Sequence, residues 1–210
     1  MNKKQKVSEA ISVLENRYPK LKDCLTHDEA WQLVVSVRLA AQCTDARVDI
    51  VTKDLFAKYP SPRALADAPV GDIEEIVRPC GLGRSKARDI SLAMKIIADN
   101  GNVVPDTMEE LLKIPGVGRK SANLILGDIY GKPAIVTDTH CIRICNRLGL
   151  VDTDVPQKVE AELWKIVPPE KGNDLCHRFV LFGREVCTAR SPKCADCPLS
   201  HICKEKPNLK

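Results

Sequence analysis

The stretch LLKIPGVGRKSANLIL, residues 111–126, indicates the fold. Two apolar runs with helical spacing are separated by PGVG and followed by Arg119 and Lys120. We expect the proline to end the first helix and the second helix to begin near Gly118 or Arg119. Glycine adopts a positive φ at no steric cost, so we expect Gly116 and Gly118 to be free to do so. The pattern predicts a helix–turn–helix hairpin.

Two interpretations of this hairpin remain open on spacing alone. It is either a structural joint between packed helices, or a cradle whose N–H groups bind a phosphate oxygen beside a helix N-terminus. Such contacts fix position on a nucleic-acid backbone without reading its sequence. Lys120 favours the second, because the first turn of a helix disfavours a cation. Partial desolvation there would lower the lysine pKa and free a nucleophilic amine. The alternative is an ordinary solvated lysine.

Helical spacing of apolar residues recurs along the whole chain, and no strand alternation is convincing, so the predicted class is all-α. Two capping boxes are predicted, Thr26 with Glu29 and Thr107 with Glu110. The segment after the first, AWQLVVSVRLAAQCTD, is apolar nearly all round and is typical of a central buried helix. PCGLGRSKA (79–87) resembles IPGVGRKSA (114–122) at an offset of 35 residues, which suggests that one turn chemistry is used twice.

Composition excludes some classes of protein. The chain has 210 residues, a formal net charge of +4 and no apolar run long enough to span a bilayer. Its first residues lack a signal-peptide core. We therefore expect a soluble, cytoplasmic protein with no membrane partner. Ten cysteines are many for that compartment, which indicates a metal site.

The cysteines at the C-terminus have ligand spacing. Cys187, Cys194, Cys197 and Cys203 are close enough in sequence to converge on zinc or on an iron–sulfur cluster, and spacing alone does not choose between them. The other cysteines (24, 43, 80, 141, 145 and 176) lack such spacing and are interpreted as core residues. Arg190 and Lys193, between the first two ligands, are either phosphate contacts or solvated charge.

Asp138 precedes a predicted helix in AIVTDTHCIRICNRLGL. It is either that helix's N-cap or a carboxylate that accepts a proton and stabilises developing positive charge. The two roles are compatible.

Together, LLKIPGVGRKSAN, VTDTHCIRICNRLG, AAQCTD and the cysteine tail resemble the endonuclease III family of DNA glycosylases, in order and spacing, over essentially the whole chain. The resemblance implies a six-helix barrel at residues 23–133, with the helix–hairpin–helix at about 108–130. It also implies a second module of residues 1–22 and 134–210 that holds a [4Fe–4S] cluster on the four tail cysteines (cluster loop 187–203). In that family the cluster is usually regarded as structural or DNA-positioning. Double-stranded DNA with damaged bases or abasic sites would be bound by a monomer, across a cleft between the modules.

The resemblance also implies roles for single residues. Lys120 would attack C1′ of a flipped-out nucleotide, and its Schiff base would permit β-elimination, with Asp138 assisting. Gln42 and Leu82 would fill and wedge the duplex. Gln42 could equally be a polar residue at a helix end, and Leu82 a buried loop anchor. Gly116, Gly118 and Arg119 would grip the DNA backbone.

Two departures concern specificity. Ala40 stands where the family often has Ser, and Gly83 where a bulkier residue is common, both near the expected base pocket or wedge. Oxidised pyrimidines are the family's usual substrates. One alternative is an adenine-mismatch glycosylase of the same superfamily, which usually lacks the lysine and carries a glutamate before Gln42, where this chain has Arg38. Another is a non-catalytic DNA-binding metal module.

Overall fold

The computed structural model describes residues 1–21 and 25–205, and this part of the chain is helical without strands, which confirms the all-α class. None of its helices is long and apolar enough to cross a membrane. The α-helices in the described residues are α1 Lys3–Arg17, α2 Ala30–Ala40, α3 Asp45–Lys58, α4 Pro62–Asp67, α5 Val70–Val77, α6 Gly83–Asp99, α7 Met108–Leu111, α8 Arg119–Asp128, α9 Thr139–Leu148, α10 Pro156–Leu163 and α11 Gly172–Glu185. Short 3₁₀ turns lie at Arg78–Cys80, Pro169–Lys171 and Ser200–Ile202.

The chain divides into two compact units, Asp23–Gly131 and a second made of Met1–Lys22 with Lys132–Lys210. The first holds α2 to α8. Its centre is α2, in which seven of eleven residues are buried, as expected from its apolar surface. Helices α3, α6 and α8 pack against it. Each fully buried Leu, Val or Ile of this core contributes roughly 1.5–3 kcal/mol to folding.

Some helix boundaries in this unit differ from the expectation. Glu29, and not Thr26, caps α2, in a capping box with Gln32. Thr107 caps α7, its side chain accepting from the Glu110 N–H, as predicted. The first hairpin helix ends at Leu111, ahead of Pro115, which was expected to end it. The proline therefore lies inside the turn.

Two helices of this unit were not predicted. Helix α4 begins with a Ser61 cap and Pro62 in its first turn, and α5 follows Pro69. Both signals are in the sequence, but six and eight residues are too few for a clear apolar period. They pack on α6.

The second unit holds α1 and α9 to α11. Helix α11 packs against α9 and α1, and buries Leu175, Phe179 and Phe182. Helix α1 buries Val7, Ala10 and Leu14. Gly172 starts α11 where a Cβ would lie 2.5 Å from the Ala134 carbonyl oxygen, so glycine lets the segment before α9 run against α11.

Candidate active site and metal centre

The hairpin is formed by α7, the turn of residues 112–118 and α8. Gly116 has φ +81°, a conformation that only glycine adopts without strain. Gly118 has φ −95° and ψ 177°, extended backbone open to any residue, so the expectation of a glycine-only conformation holds for Gly116 alone. Gly118 is the N-cap of α8, which begins at Arg119 as predicted.

Arg38 of α2 lies against this turn. A Cβ on Gly116 would be 2.5 Å from Cδ and 2.8 Å from Nε of Arg38. Arg38 donates to Asp89 at 2.7 Å and to Ser85 at 3.1 Å, both on α6. Glycine is therefore required at position 116 for two reasons: the backbone has a positive φ, and Arg38 fills the space that a side chain would need. The sequence alone did not indicate this contact.

Lys120 lies in the first turn of α8, and its side chain is exposed, as is that of Arg119. The N–H groups at the start of a helix have no intrahelical acceptor, and the macrodipole adds partial positive charge there. The hairpin thus places two cations and a set of helix N–H groups at one helix start. This arrangement suits a phosphate backbone.

Asp138 belongs to the second unit and caps α9. Its Oδ1 accepts from the Cys141 N–H at 2.7 Å, so the capping role is confirmed. The side chain is half-buried beyond a buried segment, residues 134–137. A carboxylate has two oxygens, and the cap uses one of them, which leaves a catalytic role compatible with it.

Cys141 and the neighbouring thiols form the packing behind Asp138. Cys141, Cys145 and Cys176 are all buried. Hydrogen bonding with Cys145 and burial raise the pKa of Cys141, and hydrogen bonding with Cys141 and burial raise the pKa of Cys176. All three pack in the core, as expected. Cys24 lies outside the described residues.

Gln42 and Leu82 share an unusual backbone. Among the described residues, the non-glycine residues with positive φ are Gln42 at 56°, Leu82 at 52° and Asn102 at 65°. Gln42 follows the end of α2, Leu82 caps α6, and both are exposed, Leu82 by 57%. Leu82 is therefore not a buried anchor. Gly83 begins α6, where a Cβ would lie 3.2 Å from Cα of Arg78, so the bulkier residue common there would be tightly packed.

The four tail cysteines lie around one cavity. Cys187, Cys194, Cys197 and Cys203 line a space of about 320 Å³. A single tetrahedral zinc needs its sulfurs at about 2.3 Å from one ion, whereas a cluster needs room for several atoms between them. No three His, Cys, Asp or Glu side chains of the described chain are spaced for a single ion. Four thiols around a cavity suit an iron–sulfur cluster.

Two arginines of α9 hold this cysteine loop. Arg147 donates to the Cys187 Sγ at 3.3 Å, the Thr188 carbonyl at 2.8 Å and the Ala189 carbonyl at 3.1 Å. Arg143 donates to the Cys187 carbonyl through Nε at 3.1 Å and Nη2 at 3.0 Å. No role was predicted for these arginines, because their spacing of four residues on a helix indicates a shared face but not its partner.

Arg190 and Lys193 lie between the first two cysteines and are both exposed. The Lys193 N–H donates to the Val186 carbonyl at 2.9 Å, so the loop backbone is fixed near the end of α11. The exposed cations are available to an anionic partner.

Known proteins show which family uses this arrangement. A family model described as "HhH-GPD superfamily base excision DNA repair protein" matches residues 35–169, which include the hairpin and Asp138. Endonuclease III of Bacillus subtilis (strain 168) is 41% identical over 207 residues, covering 98% of this chain and 94% of the relative. This chain belongs to the endonuclease III family. It is thus a base excision DNA repair protein.

Two solved structures of the endonuclease III family support this placement. One is a non-covalent endonuclease III–DNA complex and the other a trapped endonuclease III–DNA covalent intermediate. Each is 40% identical to this chain with a TM-score of 0.91, covers 98% of it, and is itself covered to 97% and 98% respectively. A second model, described as the iron-sulfur binding domain of endonuclease III, matches residues 187–203. Its ends are the first and last of the four cysteines, and the chain is therefore one that carries a [4Fe–4S] cluster.

Proposed function

We propose that this chain is a bifunctional DNA glycosylase and AP lyase that removes oxidised pyrimidines from double-stranded DNA and then cleaves the strand. The observation that carries the proposal is the exposed Lys120 in the first turn of α8, directly after the Gly116 turn, in a member of the endonuclease III family. The solved relative trapped on DNA is described as a covalent intermediate, which requires a protein nucleophile. Its substrate would place the protein in the cytoplasm, beside the nucleoid in a prokaryote.

The chemistry follows from an amine nucleophile. The neutral Lys120 Nζ attacks C1′, forming an N–C bond as the bond from C1′ to the base breaks. The departing base takes the electron pair and then a proton. The bond from C1′ to the ring oxygen then breaks, the oxygen takes a proton as it becomes a hydroxyl group, and the lysine nitrogen forms the C1′=N bond of a Schiff base, which acidifies the C2′ proton. Its removal expels the 3′ phosphate by β-elimination, and hydrolysis of the Schiff base returns the lysine.

Asp138 would assist Lys120 in two ways. Its carboxylate accepts the proton that the Lys120 nitrogen loses once it has bonded to C1′, and it offsets positive charge developing on the sugar. Its cap bond to Cys141 holds the carboxylate in one orientation. Asp138 is therefore proposed to be both a cap and a catalytic residue.

The remaining site residues are proposed to bind DNA. Gly116, Gly118 and Arg119 would hold the backbone near the lesion, and Gln42 and Leu82 would enter the duplex. Arg190 and Lys193 would contact phosphates from the cluster loop. The [4Fe–4S] cluster, held by the four tail cysteines, would supply structural support for that loop.

The alternative functions are less well supported. Mismatch-specific adenine glycosylases usually lack the lysine and need a glutamate before Gln42. Here that region carries Arg38, which is committed to Asp89 and the Gly116 turn. A non-catalytic module has no use for an exposed lysine and a capped aspartate inside the residues that match a repair family.

Borohydride trapping tests the proposal. Protein is incubated with duplexes that carry an oxidised pyrimidine or an abasic site, and borohydride reduces any Schiff base to a stable adduct. We expect an adduct with the wild type and with Lys95→Ala, an exposed lysine on α6, and none with Lys120→Ala. Absence of both adduct and strand cleavage in the wild type would refute the lyase assignment.

A further inference from the structure

Two strained residues are the ones proposed to enter DNA. Gln42 and Leu82 hold left-handed backbone conformations and exposed side chains. Neither is glycine, so each conformation is unfavourable by itself and persists only where surrounding contacts impose it. The residues just before them, Ala41 and Cys80–Gly81, are where such contacts must act.

Lys86 supplies those contacts. Its side chain is fully buried, with 0% exposure. Its Nζ donates to the carbonyls of Leu39, Ala41 and Cys80, each at 2.8 Å. An ammonium has three N–H donors, so all three are used, and the charge is buried with full hydrogen bonding.

The three acceptors belong to two chain segments. Leu39 and Ala41 are at the end of α2, directly before Gln42, whereas Cys80 ends the 3₁₀ turn directly before Gly81 and Leu82. One ammonium therefore joins the segments that lead into both strained residues. The Lys86 N–H also donates to the Leu82 carbonyl at 3.0 Å, so Leu82 is held on both sides.

The same two segments meet through their thiols. Cys43 follows Gln42, and Cys80 hydrogen-bonds with it. Burial and this bond raise the pKa of Cys80 to about 11, so the Cys80 thiol stays neutral. Arg47 adds a bond from α3 to the Pro79 carbonyl at 3.3 Å. Within this junction, Lys86 is the charged side chain that hydrogen-bonds to both segments.

We propose that Lys86 is a positioning residue for lesion recognition: its ammonium fixes the end of α2 and the Cys80 turn together, so that Gln42 and Leu82 are presented to the duplex as a preformed pair. The proposal rests on the proposed function, because it needs Gln42 and Leu82 to enter DNA. It predicts that Lys86 acts on base flipping and not on the chemistry of Lys120.

The first experiment measures insertion directly. The probe is a duplex with a tetrahydrofuran abasic analogue opposite 2-aminopurine, whose fluorescence rises when the base loses stacking. Wild-type protein at saturation should give a strong increase. Lys86→Met, which removes all three donors, should give a clearly smaller increase at saturation, while Lys95→Met on the same helix matches the wild type. An increase equal to the wild type in Lys86→Met would overturn the proposal.

The second experiment separates positioning from general damage. Single-turnover base removal should fall about 10- to 100-fold in Lys86→Met, as expected for displaced positioning groups. The variant should retain cleavage of a single-stranded abasic site, which needs no wedge. In a Gln42→Ala/Leu82→Ala background, Lys86→Met should cause little further loss, because nothing remains to be positioned. An equal loss in both backgrounds would overturn the positioning role.

A milder substitution at the same position provides a test if Lys86→Met does not fold. If Lys86→Met yields no folded holoprotein, Lys86→Gln, which keeps two N–H donors, is measured in the same assays. An intermediate 2-aminopurine signal supports the proposal, and a full signal overturns it. If the wild type itself shows neither the fluorescence increase nor a borohydride adduct, the proposed function fails, and the failure is not specific to Lys86.

Discussion

Alanine at each of the two hairpin glycines should have opposite effects on stability and on DNA binding. Gly116 has φ +81°, and its missing Cβ would overlap Arg38. Gly118 has extended backbone, and a Cβ there would meet no described atom within 4 Å. Gly116→Ala should therefore damage the fold, while Gly118→Ala should leave it intact.

The size of the difference follows from the contacts. A left-handed conformation costs an L-residue about 1–2 kcal/mol. Displacing Arg38 disturbs its 2.7 Å ion pair with Asp89, in which the Arg38 side chain is 16% exposed and the Asp89 side chain 26%. Losing this pair costs roughly another 1–2 kcal/mol. Gly116→Ala should thus lose about 2–4 kcal/mol. For Gly118→Ala, poorer capping is offset by a less flexible unfolded chain, so the change stays within about 1 kcal/mol.

Thermal unfolding of the holoprotein measures this contrast. One kcal/mol corresponds to about 2–4 °C in a chain of this size, so Gly116→Ala should lower Tm by roughly 4–16 °C. Gly118→Ala should remain within a few degrees of the wild type. Equal shifts for the two variants would refute the distinction between the glycines.

Measuring the DNA affinity of the same variants tests whether Gly118 contacts the DNA backbone. Because the site of the Gly118 Cβ is open in the free protein, a methyl group there matters only when a backbone approaches the turn. Gly118→Ala should weaken binding to a tetrahydrofuran-containing duplex on the order of tenfold, or about 1.4 kcal/mol, at unchanged Tm. Unchanged affinity, measured by fluorescence anisotropy, would show that Gly118 is part of a structural joint and does not contact DNA.

Three further predictions concern the second unit. Asp138→Asn keeps an oxygen for the cap and should retain Tm, but should lose at least about 100-fold in base removal; full activity would make Asp138 a cap only. Replacing Arg190 and Lys193 with Gln should weaken binding to all sequences and flatten the salt slope by up to about 1.8; an unchanged slope would contradict phosphate contact. Arg147→Met should lower the free energy of unfolding by about 2–4 kcal/mol and speed the loss of the cluster's visible absorbance in the presence of a chelator. The control is Lys158→Met, at an exposed lysine of α10, and an absorbance decay in Arg147→Met no faster than in this control would contradict the prediction.

Local patterns in the sequence predicted much of the site. The hairpin, the start of α8, the Asp138 cap and the gathering of four cysteines all depend on residues close together in the chain, where turn chemistry and ligand spacing act directly. The central position of α2 followed from its apolar surface. These features need no knowledge of which helix packs on which.

Contacts between distant segments were not predicted. The pairing of Arg38 with Gly116, and of Arg147 with the cysteine loop, joins residues more than 35 positions apart, and no local pattern encodes a partner. Lys86 did leave a signal. It occupies the same helical stripe as Ile90, Met94 and Ile97, which are buried, so a lysine there has to find acceptors inside the core. The expected cap at Thr26 was wrong because Glu29, three residues on, forms the capping box itself.

The two similar turns, residues 79–87 and 114–122, show why that buried lysine matters. Each has a positive-φ glycine, Gly81 and Gly116, and each runs into a helix. The apolar residue after the glycine differs in its fate: Val117 is 6% exposed, and Leu82 is 57% exposed with a left-handed backbone. At the offset of 35 residues, Lys86 is replaced by Ser121, which cannot supply three donors to carbonyls of two segments. The turn at residues 114–122 therefore buries its apolar residue in the hairpin. The similar turn at residues 79–87, whose backbone the buried ammonium holds, presents its apolar residue to the solvent.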